Sequence, residues 1–256
     1  GLIAGAHTTI FGGASDDNIT AAFVTQVEAS LTIEGEDGDD VIDAVDAGFK
    51  VKIRGQLGND TLSGSAYDDD ISGEEGNDVI RGMSGIDTID GGLDHDIIFG
   101  EDGEVLNAAA GAMLAKNLYD NNSVFKVNRI LSTYDAKVGN DVITDLSGNN
   151  IIIAGQGEDT ITTGAGDDVI IGDYGLMTFS AAGIFESLVV TDLTNGTKDM
   201  IKAGNGNNII AGATGDDEIE AGSNRDIILG DGGSLTFTAG VLTRAVSTAS
   251  EKGHDT

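Results

Sequence analysis

A nine-residue repeat governs this chain. From Gly55 the sequence reads GQLGNDTLS, GSAYDDDIS, GEEGNDVIR, GMSGIDTID and GGLDHDIIF, without a gap to Phe99. A second run of four units (AKVGNDVIT, DLSGNNIII, AGQGEDTIT, TGAGDDVII) fills Ala136 to Ile171, and a third (TNGTKDMIK, AGNGNNIIA, GATGDDEIE, AGSNRDIIL) fills Thr194 to Leu229. Isolated units at Gly12 and Gly35 bring the total to fifteen. Position six is Asp in thirteen of them, with Asn150 and Asn208 the exceptions, and position eight is Ile in fourteen and Leu62 in the other. Position four is Gly in ten, with Ser15, Tyr67, Asp94, Thr197 and Asn224 in the rest. Self-similarity at a short fixed period marks a solenoid.

Nine matches neither the helical period of about 3.6 nor the strand period of about two. It divides instead into six turn-forming residues and three extended ones, so each unit reads as a tight Gly/Asp turn followed by a very short strand. Glycine at position four suits a left-handed backbone that a Cβ disfavours. The extended triplet alternates out, in, out, which predicts that position eight alone faces inward and that Ile71 stacks on Ile89 and Ile80 on Ile98.

The charge balance narrows the function. With 13 basic against 44 acidic residues the net charge is 13 − 44 = −31, which excludes electrostatic binding to nucleic acid or an anionic membrane. The acid is 32 Asp against 12 Glu, a bias toward the residue of turns and compact oxygen-ligand sites. Without cysteine there is no disulfide, thiolate metal site or thiol nucleophile. Hydrophobic residues at 39% are too many for a disordered acidic chain, yet no stretch reaches the roughly 18 apolar residues of a membrane span.

The units resemble the repeats-in-toxin (RTX), or haemolysin-type calcium-binding, nonapeptide G-G-x-G-x-D-x-U-x, over 135 of 256 residues. The doubled glycine is intact only at Gly12-Gly13 and Gly91-Gly92. The resemblance implies an all-β fold, a right-handed parallel β-roll (β-solenoid) with two units per coil. It also implies calcium in the turns between a unit and the one two places on, with backbone carbonyls near the glycines as further ligands.

Elementary electrostatics points the same way. Equivalent positions in successive coils lie about 4.8 Å apart, where two bare carboxylates repel by roughly 3 kcal/mol at an effective dielectric near 20. A stack of them exceeds the 5–15 kcal/mol stability of a typical domain. A divalent ion between each pair reverses the sign, and hard oxygen donors in a flexible glycine-rich turn suit calcium better than magnesium. The candidate ligands are Asp17, Asp40, Asp60, Asp69, Asp78, Asp87, Asp96, Asp141, Asn150, Asp159, Asp168, Asp199, Asn208, Asp217 and Asp226. The expected pairs are Asp60 with Asp78, Asp69 with Asp87, Asp78 with Asp96, Asp141 with Asp159 and Asp199 with Asp217. Asn150 with Asp168 and Asn208 with Asp226 are half-pairs, and roughly half a dozen or more Ca2+ ions are expected. Position-five side chains such as Asn59, Asn77, Asp167 and His95 are expected to be solvated.

Three stretches break the register, each announced by a like phrase, IFGEDG, IIGDYG or ILGDGG. Near Asn107 to Tyr119 the apolar spacing predicts a short helix, and VFKVNRIL after it predicts a strand. Leu176 to Leu193 and Ser234 to Thr248 each predict a β-hairpin, while Phe49 to Ile53 is expected to form a coil of its own. The organisation expected is isolated repeats over 1–54, roll blocks over 55–103, 136–175 and 194–233, and insertions over 104–135, 176–193 and 234–256. Glu251 to Thr256 reads as a unit caught part-way and residue one is not Met, so a slice of a longer repetitive protein is expected.

Enzyme motifs are missing: there is no H-E-x-x-H, G-x-S-x-G or P-loop, and His7, His95 and His254 are far apart in sequence. Carboxylate pairs recur throughout, which singles out none as a general acid and base. The expectation is a non-enzymatic, calcium-dependent structural segment of a secreted or cell-surface protein, of adhesin or surface-layer type, exported by a type I route and folding when calcium arrives. Its partners would be calcium and copies of itself or neighbouring repeats, with no nucleic acid and no transmembrane segment. Two other readings stay open: the calcium-binding module of a secreted enzyme or toxin, and a polysaccharide-acting β-helix enzyme.

Overall fold

The computed structural model describes residues 7–22, 30–106, 129–133, 139–192, 194 and 196–248. The helix expected near Asn107 to Tyr119 lies outside these residues. Alternate units join alternate sheets, giving two nine-stranded parallel sheets. The first holds His7–Ala14, Ser30–Asp37, Val51–Leu57, Asp70–Glu75, Thr88–Leu93, Val142–Ser147, Thr160–Ala165, Met200–Lys202 and Glu218–Glu220. The second holds Asn18–Thr20, Val41–Asp43, Thr61–Ser63, Val79–Arg81, Ile97–Phe99, Ile151–Ile153, Val169–Ile171, Ile209–Ala213 and Ile227–Asp231. Phe49 to Ile53 does feed a coil, its strand lying between Ser30–Asp37 and Asp70–Glu75.

Register follows the position-eight column. Ile71 sits opposite Ile89, and Ile80 opposite Ile98. The excursions leave it unshifted: Ile89 pairs with Ile143 and Ile98 with Ile152 across one, Ile161 with Ile201 and Ile170 with Ile210 across the next. These isoleucines, with Leu62, are buried in one thin core, each contributing about 1.5–3 kcal/mol by leaving water. The turns pack as tightly. Gly58 has φ +133, and a Cβ there would run into the Gly38 carbonyl of the coil before it. Position two is also left-handed, at Glu36, Gln56, Glu74 and Met83 (φ 77–80), which accounts for glycine at that place in the motif.

The excursions form a third sheet, antiparallel and six-stranded: Gly103–Leu106, Arg129–Ser132, Gly175–Phe179, Phe185–Val190, Gly233–Thr238 and Val241–Ser247. Both expected hairpins are present, and the end of VFKVNRIL is a strand. Successive excursions also pair with one another, Arg129–Ser132 with Gly175–Phe179 and Phe185–Val190 with Gly233–Thr238. Val105, Ile130, Met177, Phe179, Leu188, Val190, Leu235 and Phe237 of this sheet form one buried cluster with Val79, Ile97, Phe99, Ile151, Ile153, Ile171, Ala211 and Leu229 of the second. The out, in, out expectation is corrected there: in Val79–Arg81, Ile97–Phe99 and Ile151–Ile153 positions seven and nine are buried too, because another layer covers them, whereas Asn18–Thr20, Val41–Asp43 and Thr61–Ser63 keep the expected alternation. A strand covered on both faces reads as a continuous apolar run, and IIF, III and VII do so whereas TID and TIT of the first sheet do not.

The recurring phrases are the exits from the roll. In IFGEDG and IIGDYG the last glycine lets the chain pass over the position-nine side chain: a Cβ on Gly103 would overlap the Phe99 ring, and one on Gly175 would overlap Ile171. Arg81 closes the lower edge. Its Nε–H donates to the Gly103 carbonyl (2.7 Å) and its guanidinium lies 5.6 Å from the centre of the Phe99 ring. Buried Glu101 and Tyr174, one from each of two successive phrases, are hydrogen-bonded through the tyrosine hydroxyl. Among the described residues no helix is long and apolar enough to cross a membrane.

Candidate metal centre

All fifteen candidate residues fall into two ladders, one along each edge of the roll. In the longer ladder the backbone N–H of each position-six residue donates to the side-chain Oδ1 of the next. It runs from Asp17 through Asp40, Asp60, Asp78, Asp96, Asn150, Asp168 and Asn208 to Asp226, at 2.7–3.1 Å. The shorter runs from Asp69 through Asp87, Asp141, Asp159 and Asp199 to Asp217, at 2.7–3.0 Å. All seven expected pairs are therefore adjacent. Asp87 with Asp141, Asp96 with Asn150, Asp159 with Asp199 and Asp168 with Asn208 join them across the excursions.

One carboxylate oxygen thus braces the stack, and the other does something else. Thirteen of the fifteen side chains are buried, Asp17 and Asp226 being half-buried. Among the described residues the Oδ2 atoms of Asp60, Asp78, Asp87, Asp96, Asp159, Asp168 and Asp199 meet no hydrogen-bond partner. A buried polar atom so placed needs compensation from somewhere. Each Oδ2 of Asp60, Asp69, Asp78 and Asp87 faces the position-one glycine of its own unit, beside the carbonyl of the position-one residue one coil on. A Cβ on Gly55 would meet Asp60 Oδ2 and the Gly73 carbonyl, and one on Gly64 would meet Asp69 Oδ2 and the Gly82 carbonyl. The same nook recurs at Gly35 with Asp40, Gly73 with Asp78, Gly82 with Asp87 and Gly212 with Asp217. Glycine keeps it open.

Two nooks are assembled across excursions. Gly100 faces Asp141 Oδ2 and the Ala154 carbonyl, and Gly172 faces Asp199 Oδ2 and the Gly212 carbonyl. The chain leaves the roll after position one of a unit and returns near position four, at Gly139 or Gly196. Beside the second exit, buried Asp173 accepts hydrogen bonds from the Thr214 amide and hydroxyl (2.8 and 3.0 Å), pinning the interrupted turn.

The electrostatics records what is owed. Burial pushes Asp78, Asp87 and Asp159 up to about 9, reinforced by the carboxylates of Asp96 for the first and Asp141 for the other two. Burial raises Asp60 and Asp141 to about 7 and Asp199 well above the ordinary range. Asp69 reaches only about 6, since hydrogen bonds from Val51 and Ser65 favour its charged form. Unpaired carboxylate oxygens beside a carbonyl, in a nook without a side chain, are the donor set of a hard divalent cation. Among the described residues no three acidic or histidine side chains converge as a metal-binding group, so backbone carbonyls would supply the remaining ligands.

Two rungs differ. Asn208 keeps the brace, but its Nδ2 donates to the Gly204 and Ala221 carbonyls (3.2 Å each), the latter the position-one carbonyl of the next coil. An amide hydrogen stands there where the neighbouring rungs present a carboxylate oxygen. Asn150 turns its Nδ2 to the Ser147 carbonyl (2.9 Å).

The position-five side chains are exposed or half-buried, in keeping with the expectation that they are solvated, and they also brace the turns. The Asn77 amide donates to Asn59 Oδ1, the His95 amide to Asn77 Oδ1, the Asn149 amide to His95 Nδ1 and the Asp167 amide to Asn149 Oδ1, at 2.8–3.1 Å. This third ladder bonds in the opposite sense to the position-six pair, and its regular recurrence of Asn and Asp was the signal available in the sequence.

The family model of the RTX calcium-binding nonapeptide repeat matches the chain over residues 32–44, 54–88, 75–104, 135–173 and 202–234. Among curated proteins none matches it.

Proposed function

The chain belongs to the RTX calcium-binding nonapeptide repeat family, and from that premise we propose that it is a structural β-roll segment of a secreted or cell-surface protein, of adhesin or surface-layer type, that folds on export as calcium enters its turns. The observation that carries this reading is the recurring nook in which, at Asp60, Asp78, Asp87 and Asp199, a buried, unpaired Oδ2 and a turn carbonyl flank a position-one glycine. The ions would be held by Asp40, Asp60, Asp69, Asp78, Asp87, Asp96, Asp141, Asp159, Asp168, Asp199 and Asp217, with carbonyls of the position-one residues. Calcium supplies positive charge to oxygens that burial would otherwise force to take up protons.

In this reading the chain performs no catalysis. Its work is metal-coupled folding: where calcium is scarce the net charge of −31 keeps the chain expanded and exportable. Where calcium is plentiful, each ion that binds only the folded roll stabilises it, by about 2.7 kcal/mol at a hundredfold excess over its dissociation constant. Export by a type I route fits this order of events, and calcium would be followed as partner by neighbouring repeats or copies of the same protein. Circular dichroism and small-angle scattering in calcium and in chelator test the reading: a compact β-rich chain in calcium that expands in chelator is expected, and equal folding in both would end it.

A further inference from the structure

Unit Asp145 to Ile153 departs from the repeat twice: position six is Asn150, and position one, where each complete nook has glycine, is Asp145. The two departures meet in space. Asn150 keeps the brace, accepting the Asp96 amide, and its Nδ2 turns to the Ser147 carbonyl, so its unit has lost a carboxylate at the usual place. Asp145 returns one from the other side of the turn. Its side chain is fully buried and neither of its oxygens meets a hydrogen-bond donor among the described residues, while the Asp96 carboxyl lies within hydrogen-bonding reach of it, close enough for the two to share a proton or a cation. It is aimed at the Gly91 nook of the preceding coil: a Cβ on Gly91 would overlap Asp145 Oδ2 and lie 2.8 Å from Asp96 Oδ2.

Resting on the calcium reading of the ladders, we propose that Asp145 and Asp96 form a two-carboxylate cation site beside Gly91, distinct from the one-carboxylate nooks around it and tighter than they are. A hard cation is held more firmly as carboxylate ligands are added, and here two carboxylates share one nook. With no other side-chain hydrogen-bond donor at hand, a cation satisfies both oxygens once the pair is ionised, in place of the proton that the two carboxyls can share. The site uses position one, where the ordinary nooks have glycine. Asn208 is the contrast, since there the amide itself bridges the carbonyls and no carboxylate replaces the lost one.

Calcium titration of the intact chain by calorimetry, with bound calcium counted by elemental analysis, tests this. Asp145→Asn, nearly isosteric, leaves Asp96 an ordinary one-carboxylate nook at Gly91, so the ion count should hold while the tightest step weakens by at least about tenfold. The double variant Asp145→Gly with Asn150→Asp, which makes both nooks ordinary, should also lack the tight step while keeping the ion at Asp96. In chelator Asp145→Asn should be no less folded than the parent, because it removes a buried uncompensated charge. An unchanged tightest step in Asp145→Asn would overturn the proposal while leaving the ladders standing. A parent chain that binds no calcium would overturn the ladder reading first, and this site with it.

Discussion

Withdrawing divalent cations should turn the roll into an acid-stabilised fold. Asp78, Asp87 and Asp159 are each raised from 3.8 to about 9 in the folded chain, by burial first and by neighbouring carboxylates second. A group whose folded value lies above its unfolded one binds its proton more tightly when folded. Its contribution is therefore present below about pH 4 and is lost as pH climbs toward 9. Each such group forfeits about 1.4 kcal/mol per pH unit in that window. Between pH 5 and 7 the three together lose on the order of 8 kcal/mol, comparable with the whole stability of a domain. In chelator the chain should unfold cooperatively as pH rises from 5 to 7, followed by far-UV circular dichroism. At pH 5 it is still above its isoelectric point near 4.1 and keeps a negative charge. Calcium should abolish or invert the trend, because it favours the ionised form. Half-molar sodium chloride should not replace it, since screening acts on exposed charges far more than on buried ones. A chelated chain equally stable at pH 5 and 7, or one rescued by sodium chloride, would refute the argument from buried carboxylates.

Three further outcomes follow from packing and from the odd rungs. Ile80→Ala, at a fully buried rung of the core column, should lower stability in saturating calcium by about 2–5 kcal/mol, read from the midpoint of denaturant unfolding. Phe99→Ala removes a fully buried ring between the second and third sheets. It should cost about 3–5 kcal/mol, and hydrogen exchange should rise first in Gly103–Leu106 and Gly175–Phe179, ahead of the first sheet. Asn208→Asp replaces the bridging amide by a carboxylate between Asp168 and Asp226. It should destabilise the chelated chain and add one bound calcium, counted by elemental analysis.

The period, the turn-and-strand division and the register were open to reading because a nine-residue spacing repeated in unbroken runs allows one pairing of coils. Those same runs placed Asp60 beside Asp78 and Asp141 beside Asp159. Partners across the excursions were hidden, as nothing in the residues between Asp96 and Asn150 states that the roll resumes without losing a rung. The covering sheet left a trace in IIF, III and VII, which reads clearly only once alternate units are assigned to one face. The exits were visible as repeated phrases. Their function was not, because the role of Gly103 depends on the Phe99 ring lying beneath it. Asp145 carries no signal of its own in the sequence, since its meaning comes from a neighbour 49 residues away, Asp96.

The place where the chain leaves the roll has a consequence for growth. A detour that begins after Gly100 or Gly172 and rejoins in the same turn adds nothing to the axial rise, so girth and length vary independently. Doubling a flexible detour costs only about 0.6 kcal/mol of closure entropy, little beside the burial that a flanking strand gains against its predecessor. A filament of this kind can be tailored by editing its sidings, each new one laid on the last, while the spine keeps its pitch.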